Sequence, residues 1–205
     1  MSLENKLGCK SEIELAKEEE RISKLKAKKL FDSGFFDTLK AGSFESLAAI
    51  HKELFGDIYY FAGKIRQVNI SKANFRFAPI TYLNEALIQI EQMSQSTFDE
   101  IIEKYVEMNV AHPFREGNGR SMRIWLDVIL KIELKKVIDW NAISRDDYMM
   151  AMERSPIKDT EIKLLLKDAL SNEINNSDVF MKGIDASYYY EGYTLYKTKE
   201  LKDDE

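Results

Sequence analysis

Residues 120–132 place the tightest constraint on how this chain can fold. Ile124, Trp125, Leu126, Val128, Ile129, Leu130 and Ile132 make the stretch apolar almost all round. A helix of that kind is stable only at the centre of a domain, so the remaining elements must pack around it. Arg120, Arg123 and Asp127 interrupt the pattern, and their spacing of i, i+3 and i+7 gives them one shared stripe. Charges on a buried helix need partners, which makes the stripe the first pointer to function.

The rest of the chain predicts an all-α fold: a compact helical domain with this buried central helix and one β-hairpin. Nine glycines and three prolines in 205 residues are few for a many-stranded sheet. Residues 11–33 read as a charged helix with a solvated face, supported by the pair Glu20 and Lys24. Ser43 opens a helix carrying Phe44, Leu47, Ile50 and Leu54. Val68 and Ile70, then Phe75 and Phe77, alternate with polar residues around a turn at Ser71–Asn74, the one convincing strand signal. Pro79 suits a first helical turn, and Thr97 with Glu100 has capping-box spacing. Ser144, Asp159 and Ser177 open three further helices, the last stopping near Gly192. With no internal repeat and no linker, 1–205 reads as a single domain. Residues 1–40 form a helical extension, 41–175 the core, 176–193 a last helix and 197–205 a charged, frayed tail.

Composition removes several function classes. No apolar run exceeds five residues, as at Tyr148–Met152, which excludes a transmembrane helix. The N-terminus lacks an apolar h-region, and Cys9 is the lone cysteine, so a cytoplasmic protein without a disulfide framework is expected. A net charge of −5 and the lack of a basic recognition helix argue against direct nucleic-acid or anionic-membrane binding.

Between a helix ending near Val110 and the buried helix stands His112-Pro113-Phe114-Arg115-Glu116-Gly117-Asn118-Gly119-Arg120. Gly117, Asn118 and Gly119 immediately precede a helix N-terminus, where free amides and the helix dipole favour anions. Arg120 and Arg123 project from the first turn of that helix and suit phosphate oxygens. Glu116 is a hard oxygen ligand, apt for a Mg²⁺ riding on a polyphosphate. His112 can take a proton from a hydroxyl near neutral pH. An anion cradle, a metal ligand and a base within twelve residues describe a phosphoryl- or nucleotidyl-transfer site. Walker, Rossmann and Ser-His-Asp signatures are absent.

His112 through Arg123 matches H-x-F-x-[D/E]-G-N-G-R-x-x-R at every fixed position. In this the chain resembles the Fic domain proteins, and the resemblance covers roughly residues 40–192. It implies the Fic fold, with the hairpin as a flap over the site, and transfer of AMP from ATP to a Tyr, Ser or Thr hydroxyl of a target protein. His112 would be the general base and Glu116 the Mg²⁺ ligand, Glu where many relatives have Asp. Gly117, Asn118 and Gly119 would form the anion hole, Arg120 and Arg123 would hold the β- and γ-phosphates, and Phe114 would anchor the loop. The flap at 65–77 would dock the target, with Lys72, Asn74 and Phe75 as nucleotide neighbours. Relatives that act as kinases carry lysine where Gly119 stands, so glycine favours AMP transfer.

Ser187-Tyr188-Tyr189-Tyr190-Glu191-Gly192 resembles the family's inhibitory pattern [S/T]-x-x-x-E-[G/N]. The resemblance implies a brake in the same chain, in which Glu191 draws Arg123 away from the γ-phosphate. Five of the ten tyrosines lie between Tyr188 and Tyr196, and Tyr188 is the leading candidate for modification in cis. A homo-oligomer could stabilise the inhibitory helix. Two alternatives stand beside an adenylyltransferase: an enzyme that removes AMP from its target, and a non-catalytic nucleotide-responsive binding module.

Overall fold

The apolar run becomes α5 (Asn118–Leu134) in a computed structural model that describes residues 3–72 and 75–202. Around it stand α1 (Glu12–Asp32), α2 (Phe44–Phe55), α3 (Ile80–Gln92), α4 (Phe98–Ala111), α6 (Arg145–Arg154), α7 (Thr160–Asp168) and α8 (Ser177–Tyr189). Helix α5 packs against α2, α4 and α8 at once, and Trp125, Leu126, Ile129 and Leu130 are sealed from solvent. The indole of Trp125 donates to the Ser43 carbonyl at 3.0 Å, which fixes α5 to the start of α2. The expected caps form. Ser43, Thr97 and Ser144 each accept an amide of the first turn, and Thr97 with Glu100 closes a capping box. Helix α8 is capped by Asn176 rather than opened by Ser177 as the cap, and it ends at Tyr189, before Glu191.

Strand content differs from the sequence reading in two ways. The hairpin is β1 (Ser71–Lys72) with β2 (Phe75–Arg76), paired Ser71 with Arg76 and Lys72 with Phe75. The ladder therefore runs into the residues expected to form the turn, with Lys72 and Phe75 across from each other. A second antiparallel pair joins β3 (Val137–Ile138) to β4 (Leu170–Ser171). Two-residue strands are too short to leave a periodic signal.

The charged helix α1 is not a solvated face. Glu19, Glu20, Ser23 and Lys24 are buried, because the chain beyond α8 folds back over them. Lys24 pairs with Glu20 at 2.9 Å and Asp185 at 3.1 Å, and donates to the Tyr196 carbonyl at 2.6 Å. Glu20 in turn accepts the amides of Leu195 and Tyr196. Nor is 197–202 frayed: a 3-10 turn at Thr198–Glu200 is pinned by Asp185, which accepts from both the amide and the hydroxyl of buried Thr198. Buried charges that satisfy one another in this way are costly to break singly.

Candidate active site

Helix α4 ends on His112, whose backbone is left-handed at φ 49°. Its ring is half-buried and stacks on Phe77 of the hairpin, with centroids 3.7 Å apart and planes 18° from parallel. Nδ1 lies 3.2 Å from the Asn109 carbonyl. A carbonyl can only accept, so Nδ1 carries the hydrogen and Nε2 holds the free lone pair. Burial is the main influence on this imidazole and lowers its pKa to about 4. The ring is neutral at pH 7.

The loop after His112 is closed on itself. Asn118 accepts the Phe114 amide at 2.8 Å and donates back to the Phe114 carbonyl at 2.7 Å. Its side chain is committed to the loop, so only its backbone amide is left to face a ligand. Phe114 is fully buried and stacks on His51 at 3.9 Å. His51 accepts the Gly63 amide at Nδ1 (2.9 Å), so its Nε2 donates to the Glu116 carbonyl at 2.8 Å. Burial drives its pKa down to about 3, which keeps the ring neutral across the physiological range, so these two bonds set its tautomer. Gly117 sits at φ 76°, and an added Cβ would lie 2.6 Å from the Phe55 ring. Only glycine fits there. As the N-cap of α5 it offers no side chain to the first-turn amides, which stay available to an anion.

Both arginines of the stripe turn to this end of α5, and carboxylates surround them. Arg120 contacts Glu19 of α1, pairs with Glu116 at 3.0 Å, and lies 2.9 Å from Glu191 at an angle short of a hydrogen bond. Arg123 has one carboxylate partner among the described residues, Glu191 at 2.6 Å. Its other hydrogen bonds are to the Ser187 hydroxyl at 2.6 Å, the Ser187 carbonyl at 2.8 Å and the Tyr148 hydroxyl, and its guanidinium also lies over the Tyr148 and Tyr190 rings. Burial alone would raise the Glu191 carboxyl, but Arg120 and Arg123 outweigh it and hold the pKa below the ordinary value. Asp127, the third charge of the stripe, does not reach the site. It accepts the Ile138 amide and the Trp140 indole at 2.8 Å each, a structural duty, and burial still lifts its pKa to about 7.

His112, Glu116, Gly117, Gly119, Arg120, Arg123, Ser187 and Glu191 thus converge. A Cβ at Gly119 would press on the Glu191 carboxylate and the Arg123 guanidinium, so glycine lets these two groups meet over the start of α5. Lys72 is exposed on the hairpin, near enough for its charge to act on both His112 and Glu191. Phe75 packs edge-on against Phe77 at 5.1 Å, one ring removed from His112. Asn74 lies outside the described residues. Gly192 adopts φ 93° with open space around it, the stop that the sequence suggests. Tyr188, the candidate for modification in cis, is buried, and its hydroxyl donates to Ser23 at 2.7 Å. In this arrangement it offers no acceptor to a nucleotide.

Several residues that build the site escape sequence reasoning. Glu19 sits inside a charge run that looks like solvent surface, yet it also takes the hydroxyls of Tyr59 and Tyr193. His51 carried a signal, being the one histidine besides His112. Phe77 was visible as a strand residue but not as the cover of His112. Arg66 carried none.

Glu116 is the cation-ligand candidate of the loop. It is half-exposed, and one of its oxygens holds both the Gly117 amide and Arg120. Among the described residues no cluster of three or more His, Cys, Asp or Glu could cage a metal. One accessible carboxylate with no cage fits Mg²⁺ carried on a polyphosphate, which needs only one or two protein ligands.

Comparison with known proteins places this arrangement among relatives. Residues 42–130 match the family model described as Fic/DOC family. The protein adenylyltransferase VbhT of Bartonella schoenbuchensis is 34% identical over 160 residues, covering 72% of this chain and 32% of that protein. A probable protein adenylyltransferase Fic of Salmonella typhimurium is 27% identical over 137 residues, covering 61% of this chain and 68% of the relative. The chain therefore spans about a third of the length of VbhT and about two thirds of the Salmonella protein. Among solved structures, BepC of Bartonella tribocorum with bound AMPPNP superposes with a TM-score of 0.67 at 19% identity, over 83% of this chain and 93% of that one. At that identity the likeness is one of fold.

Proposed function

The chain is a Fic-domain protein, and from that premise we propose that it transfers AMP from Mg-ATP to a hydroxyl side chain of a target protein, releasing pyrophosphate. The observation that carries the reading is the convergence of a neutral His112, with Nε2 free, and the open N-terminus of α5 with its two arginines. VbhT and the Salmonella relative bear the name of this activity.

In the proposed reaction the triphosphate lies over the first-turn amides of α5, with Arg120 and Arg123 on its β- and γ-phosphates. Preorganised donors of this kind stabilise charge that develops as the leaving group departs. His112 Nε2 accepts the proton of a Tyr, Ser or Thr hydroxyl while that oxygen attacks the α-phosphorus. The bond from the α-phosphorus to the bridging oxygen breaks, and pyrophosphate leaves. An imidazole with a pKa near 4 is a weak base, so proton transfer accompanies bond formation rather than preceding it. Glu116 would hold Mg²⁺, which when bound neutralises phosphate charge. The flap at 65–77 would add the target segment as a strand along the hairpin edge, the edge of a two-stranded sheet being open to pairing.

We further propose that Glu191 is a brake in cis. Its carboxylate occupies the partners that a γ-phosphate would need, so ATP binds out of line for attack, a misplacement worth about a factor of 10² or more in rate. The experiment is intact-mass analysis with peptide mapping after incubation with Mg-ATP. AMP should appear on Glu191→Gly and not on Glu191→Gly with His112→Ala. Equal AMP on both would remove His112 from the role of base. AMP lost from a pre-modified target by the wild type would favour the removal reaction instead.

A further inference from the structure

Arg66 lies in the connection between α2 and the hairpin, and its side chain is only 4% exposed. No carboxylate pairs with it among the described residues. Every bond it makes is to a main-chain carbonyl. Nε donates to His112 at 2.8 Å, Nη1 to Val68 at 2.8 Å, and Nη2 to Ala78 at 2.5 Å and Ala111 at 3.2 Å. Its own amide donates to the Pro113 carbonyl at 2.8 Å. Val68 and Ala78 are the two stems of the flap, whereas Ala111, His112 and Pro113 are the turn that carries the imidazole. Alongside, the Ala78 amide donates to the Val110 carbonyl at 3.0 Å.

We propose that Arg66 is a positioning residue that couples the flap to His112, locking the hairpin stems and the histidine turn into one rigid junction. The inference rests on the adenylyltransferase reading for its consequence, though not for its geometry.

Three physical facts support it. The last carbonyls of α4 have no intrahelical partners, and a guanidinium at a helix C-terminus satisfies them while meeting the negative end of the dipole. His112 holds a left-handed backbone, which is unfavourable for a non-glycine residue and persists only where its surroundings enforce it. Finally, four carbonyls lying around one planar fork need the fixed geometry of arginine; a lysine ammonium on a flexible stem cannot span them. The Phe77 ring that covers His112 belongs to the arm between these stems, so freeing the stems uncovers the imidazole.

The test exploits the presence of only two histidines, whose ring signals are separable by NMR. Three charges act on His112 beside the larger effect of burial, which lowers its pKa: Glu191 opposes that effect, and Lys72 and Arg66 add to it. Arg66→Met removes both the charge and the fork; Arg66→Lys removes only the fork. The coupling predicts that the His112 titration rises by about one unit or more in both variants, as burial is relieved. Transfer in the Glu191→Gly background should fall about tenfold or more in both. His51 reports on folding: its ring stays outside the ordinary range while the domain is intact. Should Arg66→Met unfold, Arg66→Lys carries the comparison. Hydrogen exchange of the wild type reads the junction without any substitution, because the amides of Arg66, Ala78 and His112 should open with one common free energy. An unmoved His112 titration in Arg66→Lys, or three separate opening free energies, overturns the proposal. These readouts need no turnover, so a failed transfer assay counts against the enzyme reading and leaves the coupling standing.

Discussion

Glu191→Gly should make the protein both less stable and more active. The carboxylate is 17% exposed and pairs with Arg123 at 2.6 Å and Arg120 at 2.9 Å. Removing one partner of a buried pair costs about 3–5 kcal/mol when the remaining charge has no other counter-ion. Arg120 keeps Glu19, so the penalty falls mainly on Arg123, and the lower end of that range applies. For a domain of this size each kcal/mol moves Tm by about 2–4 °C, which gives a fall of about 6–12 °C. Mg-ATP should then raise Tm more in the variant than in the wild type, because the triphosphate supplies the anion that Arg123 has lost. Transfer should rise by about 10² or more as the γ-phosphate regains its partner. Glu191→Gln separates charge from shape and should fall between the two proteins in both assays. Differential scanning fluorimetry with and without Mg-ATP, read beside the transfer rate, checks both effects. An unchanged Tm with unchanged transfer would refute the brake and the electrostatics beneath it.

Other outcomes follow from the same contacts. Lys24→Met leaves Glu20 and Asp185 without their cation beneath α8, so it should lower Tm by several degrees and partly release transfer; lower stability with undiminished inhibition would separate α1 from the brake. The transfer rate of Glu191→Gly should be level from pH 6 to 8 and fall only as His112 protonates, below the value of about 4 that the ring has beside Glu191, because the lost carboxylate raises that pKa and the base works when neutral. A rate that instead halves near pH 6.5 would mean that the imidazole is solvated during turnover. Gly117→Ala should abolish ATP binding, since a methyl there meets the Phe55 ring and the φ of 76° strains any side chain; calorimetry showing wild-type affinity would contradict the need for this turn.

The site was legible in the sequence where function demands residue types at fixed spacing. The stretch His112–Arg123 needs glycines at a helix start, arginines on its first turn and a base before it, and each leaves its own mark on the chain. The central helix was legible because a core helix is apolar all round. Elements held by reciprocal polar contacts were not. Glu19, Glu20 and Lys24 look like solvent surface until residues 185–198, far along the chain, close over them. Strands β3 and β4 are too short for a period. Arg66 speaks only to main-chain carbonyls, which every residue possesses, so its partners leave no imprint. The burial of Tyr188 was equally hidden, since a tyrosine-rich helix end does not show which ring packs inward.

The reaction proposed for this chain is the transfer of AMP rather than of phosphate. The most direct measurement incubates Glu191→Gly with ATP labelled at the α-phosphate or, separately, at the γ-phosphate, in the presence of Mg²⁺ and a cell extract as the source of target. Label should reach protein from the α-position alone, with pyrophosphate released, and none should appear when His112→Ala is added. Label from the γ-position alone, or no label from either while ATP binds, would contradict it.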